Sequence, residues 1–387
     1  MTQAQDKAGP LAGLKVLDFT RVLAGPYATA LLADIGADVV KVEPPTGDDY
    51  RHIGPFIEGE SALFMAANRG KRSIVLDLKK PEDVETACRL AADVDVVVEN
   101  FRPGTADRLG IGYAALSAKN PRLIYLSISG FGQTGPMRER PAYDIIVQAA
   151  SGLMSVTGTP DGPPMMVGEA IGDLIAGLYG SWAVGAALWQ RERTGKGCHI
   201  DLAMYDALLA LLPTGVCRYL ATGQAPQRVG NRHPLSAPFG VYRSGDGHVA
   251  IAVLNEKLFE QFAATIGRPD LVGDPRFGSD PERLKNEADL RIAIEAWTTA
   301  LTSAEIVSRL TEAGIPAAPI ADLAEAVNSE QTQARQLLRR HGGPMPLPEQ
   351  PVHFSGFARG RPAPVPKLGE HTKAILAEFA ARADKRK

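Results

Sequence analysis

Residues 14–45 read as strand, helix, strand: LKVLDFT, then GPYATALLADIGA, then DVVKVEPP, stopped by prolines. Two β-runs joined by so short a helical connection form a βαβ unit. They lie parallel, and the crossover is right-handed. Three more strand candidates follow, RSIVLDL (72–78), VDVVVENF (94–101) and RLIYLSISGFG (122–132), with helical stretches such as PEDVETACRLAAD between some of them. Alternation of this kind specifies an α/β class with a doubly wound parallel sheet, here a large domain over residues 1–215. The pattern changes after that. RVGNRHPLSAPFG (228–240) is rich in turn formers, and FGVYRSGDGHVAIAVLN (239–255) alternates around Gly-Asp-Gly, a hairpin signature. Helical EKLFEQFAATIG and LRIAIEAWTTALT and a strand-like IPAAPI complete a smaller α+β domain over 235–325. HFSGF and LGEHTKAILAEFAARA, within 330–387, read as a return to the first domain.

A chain of 387 residues suggests two to three domains, and 45% hydrophobic content supplies a large core. The net charge of −2 gives no reason to expect bulk attraction to nucleic acid or membrane. Cys88, Cys198 and Cys217 are far apart, and His233 and His248 form no H-x-x-x-H array, so neither a disulfide scaffold nor a metal site is expected. The N-terminal MTQAQDKAGP has no apolar signal core, and the basic end DKRK reads as a frayed terminus. These features together predict a cytoplasmic, metal-free protein.

The stretch VGEAIGDLIAGLYGSWAVGAALW (167–189) carries one carboxylate, Asp173, directly before an apolar run from Leu174 to Trp189. The run is short for a bilayer and is followed at once by Arg and Glu, so it predicts a buried core helix. Asp173 is then placed to cap that helix, because its oxygens accept first-turn N–H groups and its charge suits the positive end. Chemistry at Asp173 is the second reading. Elsewhere, GFGQTG (130–135) matches G-x-G-x-x-G, but Pro136 and a charged MRER stretch follow in place of a helix, so a nicotinamide cofactor is not supported. Walker A, G-x-S-x-G and H-E-x-x-H patterns are absent. Basic residues near strand ends are more informative. Arg72, Lys79, Arg102 and Arg108 recur beside successive strands, and loops at strand carboxyl ends line the ligand crevice of such a sheet. Cations there suit a polyphosphate ligand.

The blocks LAGLKVLDFTRVLAGPYATALLADIGADVVKVEPP, NRGKRSIVLDLK, DVVVENFRPGTADRLGIGY, ISGFGQTGP, TGTPDGPPMMVGEAIGDLIAGLYG, RERTGKGCHIDLAMYDALL and LGEHT resemble, in order, the class III CoA-transferases. That family includes carnitine CoA-transferase and α-methylacyl-CoA racemase. The resemblance implies a Rossmann-like large domain, a smaller domain, and two ring-like chains interlocked as a homodimer. It implies that Asp173 is the nucleophile, passing through an aspartyl anhydride and an aspartyl-CoA thioester. It implies that no cofactor is tightly bound and that coenzyme A and acyl-CoA are substrates. The implied CoA contacts are Val22, Leu23 and Ala24 in an entry loop, Leu76 and Lys79 on the adenine side, and Asn100, Phe101, Arg102 and Arg108 around the phosphates and adenosine. Tyr143 and Asp144 match a segment near the thioester, and Met204 matches a further contact.

Two departures shape the expected reaction. Racemase members carry a His-Asp pair where this chain has Tyr143-Asp144, so one proton-transfer group is missing. Formyl-CoA:oxalate CoA-transferase has a glycine-run loop where this chain has VGNRHP, and its acceptor-orienting Gln falls at Leu23. The expectation is therefore an acceptor larger or more apolar than oxalate, bound by Asn231, Arg232 and His233. An acyl-CoA racemase or a non-catalytic CoA-binding protein are the alternatives.

Overall fold

The structure, a computed structural model, describes residues 9–357 and 363–385. The polar start MTQAQDKA and the last two residues of the basic end lie outside the described residues, as do 358–362. The chain divides into two compact units. The first comprises Met1–Met154, Met166–Thr222 and Gln333–Lys387; the second comprises Ser155–Met165 and Gly223–Thr332. Residues 155–165 thus pack with the second unit, although they lie within the 1–215 range in sequence.

The first unit is built on six strands: β1 (Lys15–Asp18), β2 (Asp38–Glu43), β3 (Arg72–Val75), β4 (Val96–Glu99), β5 (Ile124–Ser129) and β6 (Cys198–Ala203). They are all parallel, in the order β3-β2-β1-β4-β5-β6. This is the order of a doubly wound α/β sheet. Val16, Val96 and Val98 pack on one face with helices α1 (Ala24–Asp34) and α2 (Ile171–Thr194), while Leu17 and Val97 pack on the other with the helix Pro81–Ala91 and the C-terminal helix Thr372–Lys385. Adjacent strand residues serve opposite faces, which is why these strands read as continuous apolar runs. The last helix is tied to β3: the His371 N–H donates to the Ser73 carbonyl at 3.0 Å, and Ile375 is fully buried.

Helix α2 corrects one expectation. Ala176, Gly177, Gly180, Val184 and Ala187 are buried, but Leu178, Trp182 and Trp189 on the other side are 51%, 69% and 69% exposed. The helix has the length and hydropathy to cross a membrane, yet it is a core helix on one face only. Small residues on the inner face bring it close to α1. A Cβ at Gly177 would lie 2.8 Å from the Ala24 carbonyl oxygen, and one at Gly180 would lie 3.1 Å from Leu126.

The second unit holds an antiparallel sheet of Phe239–Arg243, His248–Ala252 and Ala317–Pro319, with the middle strand central. The first two form the hairpin expected around Gly-Asp-Gly. Helices Glu256–Thr265, Glu287–Thr298 and Ser303–Glu312 cover it through Phe259, Phe262, Ile294 and Leu310, all within its core. The buried Arg283 donates to the Glu256 carboxylate at 2.7 Å and stacks over Phe259.

Gly177→Ala tests the α1–α2 contact. Alanine raises helix propensity by about 1 kcal/mol, but the added methyl meets backbone that cannot turn aside. The expected net effect is a loss of about 1–3 kcal/mol, read as a lower urea midpoint.

Candidate active site

The strand order reverses between β1 and β4, and a ligand crevice is expected outside the carboxyl ends of the strands there. A cleft of about 260 Å³ lies at this point. Arg21, Val22, Leu23 and Ala24, which follow β1, form one wall, and Asn100, Phe101, Arg102 and Pro103, which follow β4, form another. Asp173 and Met204 complete it together with the 138–143 segment. The guanidinium groups of Arg21, Arg102, Arg138 and Arg140 are exposed at its rim. Among the described residues, only Arg138 of these four forms an ion pair, to its neighbour Glu139. A rim of exposed cations, three of them without an ion-pair partner among the described residues, suits an anionic ligand.

Asp173 is not the helix cap that its place before the apolar run suggested. The helix begins two residues earlier, with Ala170 at the N-cap and Asp173 as the third helical residue. The cap function comes from a different element. Asp144, at the start of the helix Asp144–Ala150, accepts the Gly172 N–H at 2.7 Å. Gly172 permits this approach, since a Cβ there would sit 2.9 Å from the Asp144 oxygen. Four residues on, the fully buried Gln148 donates to the other Asp144 oxygen at 2.6 Å and accepts the Val167 N–H at 2.9 Å. Gln148 therefore ties the strand of chain leading to Asp173 to the residue that caps its helix.

The Asp173 carboxylate makes no hydrogen bond or ion pair among the described residues. Burial first, and the like charge of Asp144 second, push its pKa up to about 7. The favourable field of the helix end is outweighed. Tyr50 shares this environment: burial, then the charges of Asp173, Asp48, Glu169 and Asp144, push its phenol up to about 12, so it stays protonated.

The entry loop between β1 and α1 is pinned at three successive residues. The Thr20 N–H donates to Asp18, and the Thr20 carbonyl accepts from the buried Lys41 ammonium, both at 2.8 Å. The Asn100 side chain takes both backbone groups of Arg21, accepting its N–H at 2.9 Å and donating to its carbonyl at 2.8 Å. The Val22 N–H donates to Asp48 at 3.1 Å. Val22 has φ = +67°, a left-handed conformation that a β-branched residue rarely adopts. Holding it costs on the order of 1–3 kcal/mol, so the surrounding bonds must over-determine it.

The predicted residues are distributed unevenly. Val22, Leu23, Ala24, Asn100, Phe101, Arg102, Tyr143 and Met204 line the cleft together with Asp173, and Asp144 stands behind it. Arg108 is exposed on the short helix Thr105–Arg108 and donates to Thr105 at 2.8 Å. Lys79 is exposed in the turn after β3, and Leu76 is 4% exposed in the core beneath the sheet. Arg72 is displaced from the crevice for a clear reason. It opens β3 at the amino end, opposite the carboxyl ends of the strands, and is held by Asp38 at 2.7 Å and Glu378 at 3.0 Å. Asn231, Arg232 and His233 belong to the second unit. There Arg232 lies 3.8 Å from Glu287, and the His233 ring stacks on Phe239 at 4.7 Å. GFGQTG forms a turn: the Gln133 N–H is taken by Asp201, and no helix follows until Asp144. Sequence reasoning missed Asp48, Tyr50, Arg21, Arg140 and Gln148. Only Gln148 left a signal, its helical spacing of four from Asp144.

A model of CoA-transferase family III matches residues 11–372. The chain belongs to this family and is a CoA-transferase by that membership. It is 46% identical to the acetyl-CoA:oxalate CoA-transferase of Acetobacter aceti, over 98% of each chain. It is 40% identical to the succinate–glutarate CoA-transferase of Agrobacterium fabrum, again over 98% of each. The crystal structure of a CAIB/BAIF family protein from Brucella suis superposes with a TM-score of 0.87 at 41% identity, covering 96% of this chain and all of that one.

The raised pKa of Asp173 has a consequence for stability. Because its folded value lies above its unfolded value, its contribution is fully present below about pH 4 and is lost as pH rises through about 7. Asp173→Asn is therefore expected to be more stable than wild type at pH 8, with the difference vanishing toward pH 4. Urea unfolding of both proteins across that range measures it, and an Asn variant equally or less stable at pH 8 contradicts it.

Proposed function

We propose that the chain moves CoA from an acyl-CoA donor to a free carboxylic acid with Asp173 as the covalent nucleophile. The observation that carries this reading is an unpaired carboxylate in the wall of a cation-rimmed cleft at the sheet's switch point. Its raised pKa makes the ionised form a more basic and more reactive carboxylate. The carboxylate attacks the donor thioester, giving an acyl-aspartyl anhydride and CoA thiolate. The thiolate attacks the aspartyl carbonyl, forming the enzyme thioester and releasing the donor acid. The acceptor carboxylate then attacks that thioester, a second anhydride forms, and the thiolate leaves on the acceptor's carbonyl. Each step exchanges one oxygen–carbon for one sulfur–carbon bond, so no proton or electron is left over. An anhydride hydrolyses readily, which requires water to be held away.

In this reading Val22, Leu23 and Ala24 receive the pantetheine arm, and Arg102 and Arg108 hold phosphate. Leu76, Lys79, Phe101, Tyr143 and Met204 complete the CoA contacts. The pinning of Asn100 on Arg21 suits a role in shaping the loop, and Asp144 one in setting the nucleophile's basicity. Arg72 has no evident part. The acceptor class is a small dicarboxylate, since relatives are named for oxalate, glutarate and mesaconate. The relative named for oxalate removes most of the force of Leu23 against that acid. Asn231, Arg232 and His233 stay the proposed acceptor contacts. A homodimer of interlocked chains, each with large-domain segments 1–215 and 330–387 around a small domain 235–325, accords with the exposed Leu178, Trp182, Trp189 and Leu220. A cytoplasmic site of action, without nucleic-acid or membrane partners, belongs to the same proposal. Racemisation is disfavoured by Tyr143, which cannot replace a histidine in proton transfer near neutral pH.

Wild type incubated with acyl-CoA alone is expected to gain a covalent CoA adduct on Asp173 by intact and peptide mass. Asp173→Asn should lose the adduct and essentially all turnover while still binding CoA. A folded Asn variant with near-native turnover, not traced to deamidation, contradicts the reading. Arg102→Ala and Arg108→Ala should each weaken acyl-CoA by about 1.5–3 kcal/mol, mainly in KM. Equal losses for a pantetheine thioester without the nucleotide would remove the phosphate assignment.

A further inference from the structure

The Lys41–Asp48 pair takes no part in the acyl transfer described so far. Lys41 on β2 and Asp48 beyond it are 2.8 Å apart, with both side chains at most 1% exposed. Neither side chain lines the cleft. Burying such a pair is a poor way to gain stability, because desolvation offsets most of the attraction. Its contacts indicate another use. Lys41 donates to the Thr20 carbonyl at 2.8 Å, and Asp48 accepts the Val22 N–H at 3.1 Å and the Tyr50 N–H at 2.9 Å. The pair therefore holds the entry loop from behind at two points, while Asn100 holds Arg21 between them. The residue so held is the one in a left-handed conformation, and it is followed directly by Leu23 and Ala24 in the cleft wall. No side-chain hydrogen bond caps α1, so the loop before it carries the positioning of that helix start. Gly25 packs directly against the Thr20 side chain, where a Cβ would not fit.

We propose that Asp48, backed by Lys41, is a positioning residue for acyl transfer: it locks Val22 in its left-handed conformation and so sets the Val22–Ala24 wall against Asp173. The inference rests on the transferase reading, and a wild-type exchange assay tests that reading separately. Asp48 touches no reacting atom. Its effect passes through one backbone conformation, and that predicts a specific rescue. Glycine populates φ > 0 about as readily as φ < 0, so a glycine at position 22 needs less holding.

The test compares wild type, Asp48→Ala, and Asp48→Ala combined with Val22→Gly. Alanine removes the oxygen that accepts the Val22 N–H. Asp48→Ala is expected to lower kcat about ten- to a hundredfold, the scale of a misplaced catalytic wall. Adding Val22→Gly should raise kcat several-fold above the single variant. Amide exchange in a peptide covering residues 20–25 should be about tenfold faster in Asp48→Ala, with the peptide 256–265 unchanged. The exchange measurement does not depend on activity, so it stands even if the transferase reading fails. If Asp48→Ala does not fold because Lys41 loses its counter-charge, Lys41→Met with Asp48→Ala removes that charge, and the same losses and rescue are expected. A folded variant with wild-type kcat and unchanged exchange at 20–25 overturns the proposal. So does a kcat loss that Val22→Gly does not relieve, since that pattern belongs to general destabilisation.

Discussion

Helices α1 and α2 approach each other through positions that have no side chain to keep them apart. Gly177 faces the Ala24 carbonyl, Gly180 faces Leu126 of the sheet, and Ala28 and Ala176 are completely buried between them. Both helices start at the same cleft. The close contact therefore sets the distance between the entry loop that begins α1 and the carboxylate in the first turn of α2. Everything chemical in the first unit hangs from that contact. The parallel sheet supplies the platform, and its order reversal supplies the opening.

Within this frame the site sets charge against solvation. A carboxylate at a helix start should be a comfortable anion, yet Asp173 is pushed the other way by burial and by Asp144. Asp144 cannot relax this by moving, because both of its oxygens are engaged, one by the Gly172 N–H and one by Gln148. The same residue thus stabilises the helix and destabilises the anion on it. Such opposition is the usual mark of a functional site, where local stability is given up for reactivity. Val22 repeats the theme in the backbone, a conformation that costs energy and persists because neighbours hold it.

Much of the α/β framework was legible because parallel strands buried on both faces are apolar without interruption. β1, β2, β3, β4 and β5 stand inside their predicted runs, and the second unit's hairpin falls at its Gly-Asp-Gly. The apolar run after Asp173 marked a helix but not its first residue, since Ile171 and Gly172 carry no start signal; the cap comes from Asp144, some thirty residues earlier in sequence. Arg72 misled because sequence alone does not say which end of a short strand faces the crevice. The exposed face of α2 was hidden by composition, since Trp182 and Trp189 are as apolar as the buried positions between them. Asp48 and Lys41 left no trace at all. Their role is to meet a loop more than twenty residues away in sequence, and no local spacing encodes that.

The central claim, that the transferred group passes through Asp173, is tested most directly by oxygen tracing. The enzyme is turned over with unlabelled acyl-CoA and an acceptor acid whose carboxylate carries oxygen-18, then quenched and digested. The account predicts that one acceptor oxygen is left on the Asp173 carboxylate in each turnover. The peptide containing Asp173 therefore gains label, and the released donor acid acquires it in later cycles. An unlabelled Asp173 peptide beside labelled donor acid would mean that the acceptor attacks the donor thioester directly, and would contradict the account.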